Sequence, residues 1–189
     1  RPMSAARPRE GKAASSYGED GGAGLGRGHE PPGAHRRRGA RRAAGRGAKT
    51  VMLSFLKDDP SYGEAMVAQY LPNFTLCQVG RDAFVNFHNP DPADLKMVRD
   101  GWEEAKRIIS EAATDLLILD ELNIVLATDM LPKQEVIQFL KEYKGKTEII
   151  ITGRSAPKEL IAIADLVTEM QEIKHYFHKG VSSRDGIDH

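Results

Sequence analysis

The stretch Asp115-Leu116-Leu117-Ile118-Leu119-Asp120-Glu121-Leu122 constrains the fold of this chain more than any other. Large apolar residues in unbroken succession, with no alternation, read as a strand buried on both faces, and such strands belong inside parallel sheets. Two carboxylates follow at once, so the strand delivers acids at its C-terminal end. In open α/β sheets ligands settle in the crevice beyond the carboxyl ends of the strands. Asp120 and Glu121 therefore stand where a Mg²⁺-nucleotide would be met; the plainer alternative is a solvated Asp-Glu turn.

The flanking sequence supplies partners for that strand. Residues 51–56, Phe74–Val79, 148–152 and Leu166–Met170 read as further strands, the first stopped by Asp58-Asp59-Pro60. A helix is expected over 63–70, with Met66, Val67 and Tyr70 on one side. A longer helix opens at Pro92 and runs to about residue 113. Its stripe is Leu95, Val98, Trp102, Ala105, Ile108, Ile109 and Ala112, with Asp94, Arg99, Glu103 and Lys106 off it. Pro132 starts a helix that Gly145 ends, with Val136, Ile137, Leu140 and Tyr143 facing inward. Ser155 is expected to cap a helix over 156–164. Strands alternating with helices across short connections imply parallel pairing by right-handed crossovers, a three-layer α/β fold.

Composition divides the chain in two. Residues 1–50 hold 12 Lys and Arg against 4 Asp and Glu, and the remainder holds 15 against 23. Residues 1–47 contain no Val, Ile or Phe and a single Leu, so little there offsets ordering entropy, and most of that segment reads as disordered. Arg36-Arg37-Arg38 and Arg41-Arg42 give it the look of a basic arm for nucleic acid, or of a transit peptide. The division is therefore 1–41, a basic Gly/Arg/Pro-rich N-terminus, and 42–189, an α/β domain. The lone Cys77 cannot form an internal disulfide, which suits the cytoplasm, and its apolar setting reads as core. No apolar stretch reaches membrane-spanning length.

At the strands' carboxyl ends gather Asp120, Glu121, Thr152 and Arg154, beside the loop 81–91 with its aromatics Phe84 and Phe87. Two acids can organise hydrated Mg²⁺, and an arginine can clamp phosphate, though Arg154 can equally pair with an acid at the sheet edge. A nucleotide site of this kind also calls for G-x-x-x-x-G-K-[ST] between a strand and a helix. Residues 45–50 fail that pattern at Ala48 and lead into a strand; Gly21–Gly28 lacks the Lys-Thr and a preceding strand. His175 and His178 are three apart, with no third ligand type close in sequence.

With these residues in view, the chain from about residue 42 resembles the ATP:corrinoid adenosyltransferases. The carrying motifs are Asp120-Glu121-Leu122-Asn123, Thr152-Gly153-Arg154, Ala164 to Met170, Lys174-His175 with Phe177, and Gly180-Val181 through Gly186-Ile187-Asp188. The resemblance implies a P-loop NTPase-like (RecA-like), mostly parallel sheet, a cytoplasmic homodimer, and transfer of the 5′-deoxyadenosyl group of ATP to a reduced corrinoid. Cobalt would be the nucleophile, so no catalytic side chain is required. Asp120 and Glu121 would serve Mg²⁺ and ATP, Thr152 and Arg154 the nucleotide, and Phe84 and Phe87 the corrinoid's lower face. A reductase would supply the electron. No membrane or nucleic-acid partner is expected.

One departure stands out. The family's phosphate loop should fall near residues 26–34, where this chain reads Gly-Arg-Gly-His-Glu-Pro-Pro-Gly-Ala, and Pro31 and Pro32 carry no backbone donor. The loop lysine, its hydroxyl and the first strand are expected to be missing, as after a reading-frame change upstream of about residue 42. The alternative function is a non-catalytic corrinoid- or nucleotide-binding relative; a more remote one is nucleic-acid binding through residues 36–46.

Overall fold

The five residues of Leu116–Asp120 are all buried, and the fold is built around that strand. The computed structural model describes residues 13–18, 43, 45–61, 63–81, 85–143 and 145–181. Its strands are β1 (Ala13–Gly18), β2 (Thr50–Phe55), β3 (Phe74–Val79), β4 (Leu116–Asp120), β5 (Glu148–Ile151) and β6 (Leu166–Met170). They form one sheet in the order β3-β2-β4-β5-β1-β6, and every neighbouring pair is parallel. The helices are α1 (Gly63–Ala68), α2 (Pro92–Ser110), α3 (Leu122–Ala127), α4 (Lys133–Glu142) and α5 (Lys158–Ile163). This is the three-layer, P-loop NTPase-like α/β class.

Side-chain alternation along the parallel strands sorts the core by face. Val51, Leu53, Phe55, Leu117, Leu119, Ile149 and Ile151 pack with Val98, Trp102 and Ala105 of α2 and Val136 and Leu140 of α4. The opposite face is thinner, with Met52, Leu116 and Ile118 against Phe74, Leu76, Ile150 and Ala43. Trp102 is 1% exposed and meets Phe139 edge-on, ring centroids 5.5 Å apart, which joins α2 to α4. Asp91 caps α2 by accepting from the Ala93 N–H at 2.7 Å, and Pro92 needs no partner at the first position.

Several expectations need correcting. The sheet does have a strand from the N-terminal segment: Ala13–Gly18 lies between β5 and β6, aligning Ala14 with Ile150 and with Leu166. Helix α3 follows β4 directly, a helix the sequence reading passed over; five of its six residues are buried, so it shows no amphipathic stripe. Ser155 is not a cap: α5 begins at Lys158 with Pro157 before it, and Ser155 sits in left-handed backbone. Asp94 is buried rather than outside the stripe of α2, because Arg81 grips it with two bonds of 2.7 Å. Ala112 lies beyond the end of α2, exposed. Cys77 is exposed, since β3 is an edge strand. Partial burial and nearby Glu104 push its thiol pKa up, which favours the inert protonated form. Met66, Val67 and Tyr70 are exposed on and just after α1. Among the described residues no helix is long and apolar enough to cross a membrane.

Candidate functional site

Strands β2, β4 and β5 are adjacent, and their carboxyl ends meet at one corner. Register aligns Ser54 with Asp120 and Leu119 with Ile151, and the Thr152 N–H continues the ladder to the Leu119 carbonyl at 3.1 Å. Period-two alternation then puts Ser54, Asp120 and Thr152 on the same face. Asp120 is fully buried. The Ser54 hydroxyl donates to its Oδ2 at 3.0 Å, and the Thr152 hydroxyl donates to its Oδ1 at 2.6 Å. The Lys57 ammonium stands 3.5 Å from Oδ2, on a side chain that is a quarter exposed. A buried carboxylate needs such partners, because its desolvation is otherwise uncompensated.

The same hydroxyl ties in the next residue. Having donated to Asp120, the Thr152 oxygen accepts from the Glu121 N–H at 3.3 Å. Glu121 adopts left-handed backbone (φ 63°), which turns the chain from β4 into α3. The Asn123 N–H donates to the Thr152 carbonyl and its side-chain amide to the Gly153 carbonyl, both at 3.1 Å. Gly153 has φ +121°, and a Cβ there would lie 3.1 Å from Asn123 Cβ and 3.2 Å from Glu121 Cα. Only glycine fits both the torsion and the approach. Arg154, one residue on, is exposed; among the described residues it forms no ion pair, so the sheet-edge pairing alternative is not what the structure adopts.

Asp120, Glu121 and Thr152 are thus brought together, with Arg154 exposed two residues after Thr152. Phe84 lies outside the described residues. Phe87 is partly buried and packs against the main core from the loop after β3. The Gly21–Gly28 stretch and residues 26–34 also lie outside the described residues. His178 pairs with Glu172 at 2.7 Å, its ring 6.2 Å from that of His175; among the described residues no three His, Cys, Asp or Glu side chains form a metal-holding group. Ser54 and Lys57 were missed in the sequence, although a serine in an otherwise apolar strand and the first cation after it are readable signals.

How a Mg²⁺ ion would meet this corner turns on Asp120's surroundings. Hydroxyl donors on both oxygens, with an ammonium beside one, leave little capacity for direct coordination, whereas contact through the ion's own waters suits a metal that dehydrates reluctantly.

A parallel sheet whose acids and hydroxyls gather at the carboxyl ends of its strands defines a three-layer α/β protein of the kind that meets ligands beyond those ends. A family model described as ATP:corrinoid adenosyltransferase BtuR/CobO/CobP matches residues 39–189. The corrinoid adenosyltransferase of Escherichia coli (strain K12) is 34% identical over 150 residues, 79% of this chain and 76% of that protein. Corrinoid adenosyltransferase CobA of Salmonella typhimurium is 33% identical over 150 residues, with the same 79% and 76% shares. A corrinoid adenosyltransferase of Sinorhizobium sp is 43% identical over 96 residues, 50% of this chain and 45% of that protein. The chain belongs to the ATP:corrinoid adenosyltransferase BtuR/CobO/CobP family.

Proposed function

We propose that this chain transfers the 5′-deoxyadenosyl group of ATP to the cobalt of a reduced corrinoid, cobalamin or a precursor. The observation that carries the reading is that the family match over residues 39–189 contains the whole acid–hydroxyl corner. Reduced cobalt, part of the substrate, forms the bond to C5′; the C5′–O5′ bond breaks, and its electron pair leaves on triphosphate. The protein's task is then alignment and charge placement. Asp120 and Glu121 would hold Mg²⁺ through its waters. When bound, that ion neutralises charge on the triphosphate leaving group. Thr152 and Ser54 fix the Asp120 carboxylate, Arg154 clamps phosphate oxygens, and Phe84 and Phe87 contact the corrinoid. We assign the working form to a cytoplasmic homodimer supplied with electrons by a reductase.

The test is anaerobic incubation of the chain with MgATP, cob(II)alamin and a strong reductant, following the light-sensitive spectrum of adenosylcobalamin. Product formation that falls at least about 100-fold in Asp120→Ala is expected, the size seen when an electrostatic group at a reaction centre is removed. Corrinoid binding without any adenosylated product would replace this reading with that of a non-catalytic relative.

A further inference from the structure

The connection from β3 to α2 leaves the sheet beside the acid corner. The Leu56 N–H donates to the Val79 carbonyl at 2.7 Å, and a Cβ on Gly80 would lie 2.5 Å from the Lys57 nitrogen. The connection therefore starts against the turn whose Lys57 ammonium stands 3.5 Å from Asp120. Its described part, 85–91, is anchored along its length. Val85 is buried in the main core and Phe87 packs against that core. Asn86 folds a turn, accepting from the His88 N–H with its side chain and from the Asn89 N–H with its carbonyl, both at 3.1 Å. At the far end Asp91 caps α2. Arg81 closes the base. Its Nε and Nη2 each donate to one oxygen of Asp94 at 2.7 Å, and Nη2 stands 3.5 Å from Asp91.

We infer that Arg81 is a positioning residue for corrinoid binding: its grip on Asp94 and Asp91 holds the β3–α2 connection, and with it Phe87, in the arrangement that meets the corrinoid. Asp94 is 5% exposed, and apolar residues in place of a buried ion pair are often neutral or stabilising, so what the charged pair adds is geometry. A two-pronged fork fixes direction as well as distance. Both of its ends are set. Strand β3 lies in the ladder with β2, and α2 presses on β3 through Gly101, where a Cβ would fall 2.5 Å from Val79 Cγ1. The guanidinium thus bridges two fixed points, and the segment between them inherits their spacing. The inference rests on the corrinoid contact proposed above for Phe87.

The test titrates cob(II)alamin, with MgATP present, and MgATP alone into the full chain and into Arg81→Met and Arg81→Lys. If the unclamped connection is binding-competent about a tenth of the time, Arg81→Met weakens cob(II)alamin about 10-fold, with MgATP affinity unchanged. Arg81→Lys should fall between, because an ammonium cannot make the two-pronged grip. General destabilisation would instead lower the bound stoichiometry of both ligands. Should Arg81→Met fail to fold, Arg81→Met/Asp94→Asn, in which no charge is stranded, replaces it, and the same selective loss is expected. Unchanged corrinoid affinity in a folded variant overturns the assignment, as does an equal loss for both ligands. Binding is read without turnover. A wild-type chain that binds cob(II)alamin yet forms no adenosylcobalamin overturns the proposed transfer and leaves the variant's corrinoid affinity to decide the role of Arg81. A wild-type chain that binds no corrinoid overturns both.

Discussion

Strands β4 and β6 are both five-residue parallel strands, Leu-Leu-Ile-Leu-Asp and Leu-Val-Thr-Glu-Met, yet they have opposite fates. Every residue of β4 is buried, whereas Leu166 of β6 is 65% exposed. Strand β4 has β2 and β5 beside it and packed layers on both faces; among the described residues β6 is the last strand of the sheet and pairs with β1 alone. Apolar content does not by itself decide burial. A strand's place in the sheet does. The acid that ends β4 is buried for the same reason, and its neighbours' ends supply the hydroxyls that make this burial tolerable.

Large-to-small substitution probes that contrast most strongly. Leu117→Ala should cost about 2–5 kcal/mol, the usual range for a fully buried leucine, and Leu166→Ala no more than about 0.5 kcal/mol. Similar urea midpoint shifts for the two would break the comparison. Overpacking gives a smaller effect. A Cβ on Gly101 of α2 would fall 2.5 Å from Val79 Cγ1 and 3.1 Å from Phe55 Cε1, so Gly101→Ala should destabilise by about 1–3 kcal/mol; a neutral result in thermal unfolding would mean that α2 rides loosely on the sheet. Polar substitution sharpens the contrast at the strand ends. Thr152→Val removes a donor from buried Asp120 and should cost about 1–3 kcal/mol, while Thr168→Val on β6 should be close to neutral; matched melting temperatures would count against the hydroxyl's role.

The smallest effect is a pH dependence at the other edge, near β3. Arg81 holds the Asp94 carboxyl below its ordinary pKa by direct hydrogen bonding. A depressed folded pKa adds stability above the unfolded value of about 3.9, and that stability is lost as pH falls through the folded pKa. Melting temperature should therefore drop between neutral pH and pH 3, and Arg81→Met should make that acid limb shallower. An identical slope in the variant would assign the limb to other carboxylates.

The same contrast explains what could be read from the sequence. Strands β2 to β6 announce themselves as apolar runs between turn residues, and α2 by its 3.6-residue stripe. Asp120, Glu121 and Thr152 follow from position at strand ends. Helix α3 was invisible because it is buried nearly all round, and β1 because Ala13–Gly18 offers no apolar run; its pairing with β5 and β6 is recorded in no local window. Ser54 stands out as the one polar residue between Leu53 and Phe55, but its partner is set by cross-strand register with Asp120, which no local window records. Asp94 looked like surface because its partner Arg81 stands 13 residues earlier.

Strand β1 also has a consequence for the order of assembly. Ala14 aligns with Ile150 on one side and Leu166 on the other. On a ribosome adding about 5–20 residues per second, roughly 7–30 s separate synthesis of the strand from synthesis of its last neighbour. The centre of the sheet, β2 with β3 and β4, can form within that interval. Strand β1 is therefore made before β5 and β6 but can be seated between them only after both, once residue 170 has left the peptidyl-transferase centre.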